Sequence, residues 1–198
     1  MGQLSARHPP PPRVPNSTVR SREYLTADEV RDLRIAAKKV GRNRLRDSTL
    51  ILMSYRHGLR VGEAIDLRWD QVDLKLGLLY VRRLKNGTAS NHPLGKEECR
   101  CLRRLRRLHP DSRYIFVSER KGRLTSWSVR KMIARAGRNA GLPFPVHPHM
   151  LRHACGYKLA NDGHDTRAIQ HYLGHRNINH TVRYTELSPE RFRGFWKD

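Results

Sequence analysis

Apolar residues at helical spacing, interrupted by one hairpin signal, constrain the fold of this chain most strongly. They follow Thr26, which forms a capping box with Glu29 and so predicts a helix start. The short apolar run Leu78–Val81 predicts a strand instead. Asn86-Gly87 predicts the turn of a hairpin whose second strand spans 88–94. The pattern therefore predicts one mainly α domain with a small antiparallel β-sheet (α+β).

The other elements are predicted from the same periodicity and from glycines that mark the ends of helices. A second helix is predicted to begin at Asp47 or Ser48 and to end at Gly58. Further helices are predicted over 63–67, 96–108, 127–140, 148–160 and 166–173, and a third strand, also short, over 114–117. Leu102, Leu105 and Leu108 form the apolar stripe of the helix 96–108.

Charge points to a polyanionic partner. Lys and Arg number 40 against 18 acidic residues, which gives a formal charge of +22. A compact protein with this charge repels itself, so nucleic acid is the first candidate partner. On charge alone, a ribosomal-type or non-specific RNA-binding protein explains the composition equally well. Residues 1–22 are basic and proline-rich, which predicts a disordered tail before an ordered domain over 23–198.

Several classes of protein and site are disfavoured. No apolar run approaches the ~20 residues of a membrane span, and no secretory signal opens the chain. Three cysteines do not make a disulfide framework, and the spacing of Cys99, Cys101 and His109 is poor for a metal site. We therefore expect no metal and a reducing, cytoplasmic location.

Two arginines and two histidines stand where they can meet one phosphate. Arg60 follows the glycine that ends a predicted helix, so it can point from a loop into a cleft. His149 and Arg152 share one face of a helix because they are three residues apart. His175 follows Leu173-Gly174 at a helix end. A guanidinium binds phosphate bidentately, although most arginines in so basic a chain are surface groups.

Tyr184 is the candidate nucleophile. A phenol has a pKa of about 10, so it needs nearby cations or a histidine in order to attack. His180 lies one helical turn earlier and either faces Tyr184 or is simply exposed. Lys85 precedes the Asn86-Gly87 turn, so it is either a mobile proton donor or an ordinary exposed lysine. This set suits attack on a phosphodiester by tyrosine, with no metal required.

The motifs together resemble the tyrosine recombinases, also called the phage integrase family, and most closely the fimbrial phase-variation invertases. The resemblance extends from about Tyr24 to Trp196. It is carried by four separate motifs in order, namely His147-Pro-His149-Met-Leu-Arg152-His153, Asp165-Thr166-Arg167, Tyr172-Leu-Gly-His-Arg-Asn-Ile178 and His180-Thr-Val-Arg-Tyr-Thr185. The stretches Arg83-Leu-Lys85 and His92-Pro-Leu94 fit the family's hairpin.

The resemblance implies a role for each matching residue. Arg60 and Arg152 would clamp the scissile phosphate, His175 would hydrogen-bond it, and Glu63 would support Arg60. Tyr184 would attack and form a 3′-phosphotyrosine without ATP or a metal cofactor. His149 would assist proton transfer, and Lys85 would protonate the 5′-oxygen. The resemblance thus implies a site-specific recombinase that inverts, excises or integrates DNA.

The resemblance also implies partners. We expect double-stranded DNA with inverted-repeat sites, a monomer when free, a homotetramer on two sites and DNA-bending accessory proteins in the bacterial nucleoid. We expect no N-terminal DNA-clamping domain of the usual size, as the resemblance to the fimbrial invertases implies. The segment after Tyr184 docks either on a neighbouring subunit or on its own domain. Lys131, Arg135 and Arg138 are candidate DNA contacts, to bases or to phosphates. The alternative functions are a type IB topoisomerase-like relaxer and a non-catalytic DNA-binding protein.

Overall fold

The protein is described here by a computed structural model that covers residues 22–84 and 87–186. Helices dominate these residues and one small sheet interrupts them, which confirms the predicted fold class. The helices are α1 (Ala27–Lys39), α2 (Arg44–Arg56), α3 (Val61–Ile65), α4 (Lys96–Leu108), α5 (Ser126–Asn139), α6 (Pro148–Asn161), α7 (Thr166–Leu173) and α8 (Asn179–Thr185), with a short 3₁₀ helix at Trp69–Gln71. The strands are β1 (Val72–Asp73), β2 (Leu78–Val81) and β3 (Ser90–Pro93).

Helix α1 begins as the sequence predicts. Thr26 Oγ1 accepts the Glu29 N–H at 3.2 Å, and Glu29 Oε2 accepts the Thr26 N–H at 2.8 Å. These two bonds satisfy N–H groups that a helix start otherwise leaves unpaired. The apolar residues predicted to repeat along this helix were Val30, Leu33, Ala37 and Val40; the first three are buried, whereas Val40 caps the helix end and is 43% exposed.

The sheet is antiparallel, in the order β1-β2-β3. Its hairpin ladder ends at the pair Val81–Ser90, and Lys85 and Asn86, on which the predicted turn falls, lie outside the described residues. The return strand is correspondingly shorter than the predicted 88–94. Strand β1 was not predicted because two residues carry no readable alternation.

Three local predictions were wrong. The segment 114–117 is not a strand: among residues 22–84 and 87–186 its only ladder contacts are the single bridges Arg68–Tyr114 and Val117–Arg123. Its apolar side chains are buried in the core without a partner strand, so an apolar run alone was misleading. Helix α2 begins three residues before Asp47, because arginines and a leucine propagate a helix well. Leu108 ends α4 and is 60% exposed, so the stripe narrows to Leu102 and Leu105.

Packing of the helices places the later motifs against the end of α2. Helix α2 packs on α1, α4 and α6, while α8 packs on α6 and α7. A large apolar core fills the space between α1, α2, α5 and α6. A smaller cluster contains Cys155, Ile169, Leu173 and Tyr184. Tyr184 is thus held by the packing of α8 against two other helices, and not by a loop.

Within the residues that the structure describes, none of the helices combines the length and the apolar character needed to cross a membrane.

Candidate active site

Arg60 is fixed by its own helix start. It is the N-cap of α3, and the Glu63 carboxylate bends back over it. Glu63 Oε2 accepts the Arg60 N–H at 2.9 Å, while Oε1 accepts Arg60 Nη1 at 2.8 Å. The Arg60 side chain stays 24% exposed, whereas that of Glu63 is 1% exposed. The carboxylate therefore orients a guanidinium whose outer edge still reaches solvent.

Glu63 is shared among three arginines. Its Oε2 lies 3.0 Å from Arg83 Nη1 and 3.9 Å from Arg152 Nη1. Its Oε1 also accepts the Leu84 N–H at 3.2 Å. Burial alone would raise the pKa of Glu63, but the charge of Arg83 and the bonds from Arg60 outweigh burial and lower it. One carboxylate thus faces three cations, and an excess of positive charge is left for an anionic ligand.

Arg152 lies inside the protein on the first turns of α6. Its Nη2 donates to the Leu173 carbonyl at 2.8 Å, and its Nη1 donates to the Gly58 carbonyl. Burial first, and then the charge of Arg60, lower its pKa to about 10. The guanidinium is therefore still protonated at neutral pH. Arg152 therefore connects Gly58, just after α2, to Leu173 at the end of α7.

His175 follows Gly174, the glycine that ends α7. Gly174 ends α7 with a φ of 65°, in the left-handed region that glycine adopts readily. The His175 N–H then donates to the Gln170 carbonyl at 3.0 Å. The His175 Nδ1 and Thr181 Oγ1 share a hydrogen bond of 2.8 Å. Burial, followed by the charge of Arg152, lowers the His175 pKa to about 3, so the ring is neutral at pH 7.

Tyr184 is buried on α8, with only 2% of its surface exposed. Its Oη and His153 Nδ1 share a hydrogen bond of 2.9 Å. Its ring stacks 6.2 Å from the His175 ring and meets the Tyr157 ring edge-on at 5.1 Å. Burial raises the pKa of Tyr184 to about 12, although the charge of Arg152 opposes this. The phenol is therefore protonated at rest.

The histidine in contact with the phenol is His153, whereas the sequence nominated His149. His149 is exposed on α6, and its ring centre lies 6.2 Å from that of His153. Burial, and then the charge of Arg183, lower the His153 pKa to about 4, so this ring is neutral at pH 7. A neutral ring in that position can accept the phenol proton.

An open cleft of about 670 Å³ lies beside these residues. Its lining includes three arginines, Arg60, Arg167 and Arg176, together with His175 and His180. His180 lines this cleft, and its ring centre lies 5.9 Å from that of His175 in an edge-to-face arrangement. A concave, cationic wall of this kind suits a phosphodiester.

The candidate DNA contacts lie together on α5. Lys131, Arg135 and Arg138 are all exposed on this helix. Lys131 stands 4.9 Å over the ring of exposed Trp127, and Arg135 Nη2 lies 3.8 Å from Asp47 Oδ2. Their exposure is compatible with DNA contact, and that role remains a prediction.

Metal coordination has no support in the described ranges 22–84 and 87–186. No group of three or more His, Cys, Asp or Glu side chains there is arranged to hold an ion. Cys99, Cys101 and Cys155 are buried free thiols. Burial raises the pKa of Cys155 to about 12, which keeps its thiol protonated and unreactive.

Sequence reasoning missed three contacts in this site. Arg83 and His153 were quoted within motifs but were given no role, and Thr181 was not singled out for its bond to His175. For His153 the sequence did carry a signal, because it lies one helical turn after His149 on the same predicted helix. Arg83 carried no signal, because it is one of 40 Lys and Arg residues in the chain.

Comparisons with known proteins agree with this geometry. A family model described as "Phage integrase family" matches residues 23–191. The chain is 45% identical over 182 residues to "Type 1 fimbriae regulatory protein FimE" of Escherichia coli (strain K12), across 89% of this chain and 91% of that protein.

Two solved structures extend the comparison. The "Crystal structure of XerA recombinase" superposes with a TM-score of 0.74 at 31% identity, over 91% of this chain and 66% of that one. A lambda integrase dimer bound to a COC′ core site has a TM-score of 0.67 at 26% identity, over 89% of this chain and 50% of that one. These findings confirm the resemblance: the chain belongs to the phage integrase family, the tyrosine-type site-specific DNA recombinases.

Proposed function

We propose that this recombinase cuts and rejoins double-stranded DNA through a covalent 3′-phosphotyrosine at Tyr184. One observation carries the proposal: Arg60 and His175, which are far apart in sequence, line one cleft, and Arg152 and Tyr184 are buried beside them. Glu63 joins Arg60 to Arg152, and Arg152 in turn binds the Leu173 carbonyl just before His175. The His175 ring stacks on Tyr184.

The chemistry exchanges one phosphodiester for another. The Tyr184 oxygen attacks the scissile phosphorus, the bond to the 5′-oxygen breaks, and that oxygen leaves as a hydroxyl once it is protonated. A 5′-hydroxyl from the partner strand then attacks the phosphotyrosine, and the phenol regains its proton. Each step forms one phosphate ester and breaks one, so the bond energy is kept and ATP is not consumed.

Two cations would stabilise the transition state. The pentavalent phosphorane carries one more negative charge than the diester. Arg60 can bind its oxygens from the cleft wall, and buried Arg152, which lies beside the same Glu63 carboxylate, is assigned the second contact. His175, held at Nδ1 by Thr181, can turn its other nitrogen toward the same phosphate. Donors fixed in advance in this way typically contribute about 10²–10³ in rate each.

Two protons must move. His153 is the nearest acceptor for the Tyr184 proton, because it already shares a hydrogen bond with the phenol. His149, exposed beside it, can relay that proton to water. Lys85 is assigned the donation of a proton to the 5′-oxygen; it lies outside the described residues, two positions after buried Arg83.

The proposed DNA complex follows from the surface charge and the relatives. We assign residues 23–198 to the catalytic domain and 1–22 to a basic tail. Helix α5 would meet the DNA through Lys131, Arg135 and Arg138, outside the crossover point. The protein would be a monomer when free and a homotetramer on two inverted-repeat sites, helped by DNA-bending accessory proteins. The reaction would invert, excise or integrate the DNA between the two sites, depending on how those sites are arranged.

Recovery of covalent adducts from the source cell tests the proposal. The wild type and Tyr184→Phe would be expressed, protein bound to DNA after denaturation would be collected, and the attached DNA ends would be sequenced. We expect adducts with the wild type alone, at a few sites flanked by inverted repeats. Scattered adducts would favour a topoisomerase-like relaxer, and no adduct on a nicked trapping substrate would favour a non-catalytic DNA-binding protein.

Oligomeric state is tested separately. Light scattering of the free protein and of its complex with paired sites would measure both masses. A monomer in both conditions would contradict the tetramer.

A further inference from the structure

Arg83 is a buried arginine behind the phosphate-binding wall, and no catalytic role falls to it. Its side chain is 0% exposed. Its Nη1 donates to Glu63 Oε2 at 3.0 Å and to the Gly58 carbonyl at 3.3 Å. Its Nη2 donates to the His57 carbonyl at 3.0 Å and to the Tyr172 carbonyl. Four acceptors from three segments therefore converge on one guanidinium.

Each of those segments carries a proposed phosphate ligand. The His57–Gly58 turn leads into Arg60, and Glu63 holds the Arg60 guanidinium. The Tyr172 carbonyl lies at the end of α7, three residues before His175. Arg83 therefore bridges the side of the cleft that bears Arg60 to the side that bears His175.

The stem of Arg83 also passes between two glycines. A Cβ on Gly174 would lie 2.6 Å from Arg83 Cγ, and a Cβ on Gly87 would lie 2.8 Å from Arg83 Cβ. Carbon atoms in contact normally stay about 3.5–4.0 Å apart, so neither position accepts a side chain while Arg83 keeps this place. Gly174 thus leaves space for the Arg83 side chain and also adopts the left-handed backbone conformation of the turn.

We propose that Arg83 is a positioning residue for the recombinase reaction, which sets the spacing between Arg60 and His175 across the scissile phosphate. Arginine suits this task because its planar fork can serve several acceptors at once, whereas lysine offers a single nitrogen. Its Nε finds no acceptor among the described residues, so burying this guanidinium costs free energy that its four other bonds must offset. The inference rests on the function proposed above.

Arg83→Lys keeps the positive charge and most of the aliphatic side chain but loses the planar guanidinium. The matched control is Arg104→Lys, the same change at an exposed position of α4. Each variant would react in single turnover with a nicked duplex carrying the half-site recovered by adduct sequencing, and covalent adduct would be measured against time. Because a misplacement of about 1 Å can cost about 10²-fold, we expect that loss for Arg83→Lys and none for the control.

Two modified substrates separate positioning from folding. A methylphosphonate at the scissile position removes one phosphate charge, so the reaction depends less on the Arg60 and His175 contacts. A bridging 5′-sulfur leaves without a proton, so it bypasses the hairpin lysine. We expect the Arg83→Lys defect to shrink at least about tenfold with the methylphosphonate and to persist with sulfur. Each comparison is made on one protein sample, so it does not depend on the folded fraction.

Three results would overturn the inference while the wild type still reacts. If Arg83→Lys loses the same factor in rate on all three substrates, Arg83 has only a folding role. If the 5′-sulfur substrate alone restores the rate, Arg83 acts by positioning Lys85 instead. A rate equal to that of Arg104→Lys would remove any role. If the wild type itself forms no adduct, the proposed function fails, and this inference fails with it.

Discussion

Gly156 on α6 leaves room for the Tyr184 ring, and filling that room should separate catalysis from stability. A Cβ at Gly156 would lie 2.6 Å from Tyr184 Cε2 and 2.8 Å from Cζ. Normal carbon contacts start at about 3.5 Å, so Gly156→Ala must displace the ring by about 1 Å. A misplacement of that size at a reacting group can cost about 10²-fold in rate.

The expected change in stability is small by comparison. Alanine improves helix propensity by about 1 kcal/mol over glycine. Overpacking a filled site costs about 1–3 kcal/mol. The free energy of unfolding should therefore fall by no more than about 2 kcal/mol, and the protein should stay folded.

Gly137→Ala is the matched control. Gly137 also lies within a helix, α5, and its Cβ would meet Val146 Cγ2 at 2.6 Å, outside the active site. We would measure urea unfolding and the rate of covalent adduct formation for both variants. Gly156→Ala should lose about 10²-fold more rate than Gly137→Ala at similar stability. Equal rates in the two variants would refute the placement of Tyr184.

Three further perturbations test the electrostatics. Glu63→Gln leaves three arginines facing one another, so urea unfolding should show a loss of about 3–5 kcal/mol; a loss below about 1 kcal/mol would count against the buried network. Burial, and then the charge of His57, lower the His92 pKa from 6.5 to about 3, so between these values the unfolded chain binds a proton that the folded protein does not. Stability should therefore fall as pH drops through that range, and His92→Asn should flatten the fall measured by urea unfolding at stepped pH; an unchanged slope would exclude His92 as a source. DNA affinity measured by fluorescence anisotropy should drop about 10³–10⁵-fold between 50 and 200 mM salt if 6–10 phosphates are contacted, and a flat response would contradict a cationic DNA-binding surface.

Local signals predicted the elements that are fixed locally. Helix α1 has its own capping box, and α7 has Asp165 at its start and Gly174 at its end, so sequence alone placed both. The segment 114–117 depends on what packs around it, and β1 depends on its pairing with β2. A short apolar run or a two-residue strand does not indicate what will pack or pair with it. The sequence therefore predicted a strand at 114–117 wrongly and missed β1.

The site divides in the same way. Tyr184, Arg152 and His175 stand in short motifs, so the sequence alone nominates them. The contact between His153 and the phenol requires α8 to pack on α6, and neither helix encodes that separately. Arg83 is the clearer case, because its four acceptors come from segments up to 89 residues away. Only tertiary structure distinguishes it from the surface arginines around it.

The most direct test of the central claim is the identity of the residue that becomes joined to DNA. Wild-type adduct formed on the half-site duplex would be digested with nuclease and protease, and the peptide that carries the residual nucleotide would be sequenced by mass spectrometry. We expect a 3′-linked nucleotide on Tyr184 and no labelled peptide from Tyr184→Phe. A nucleotide on Tyr157, Tyr172 or any other residue, or an adduct that survives Tyr184→Phe, would contradict it.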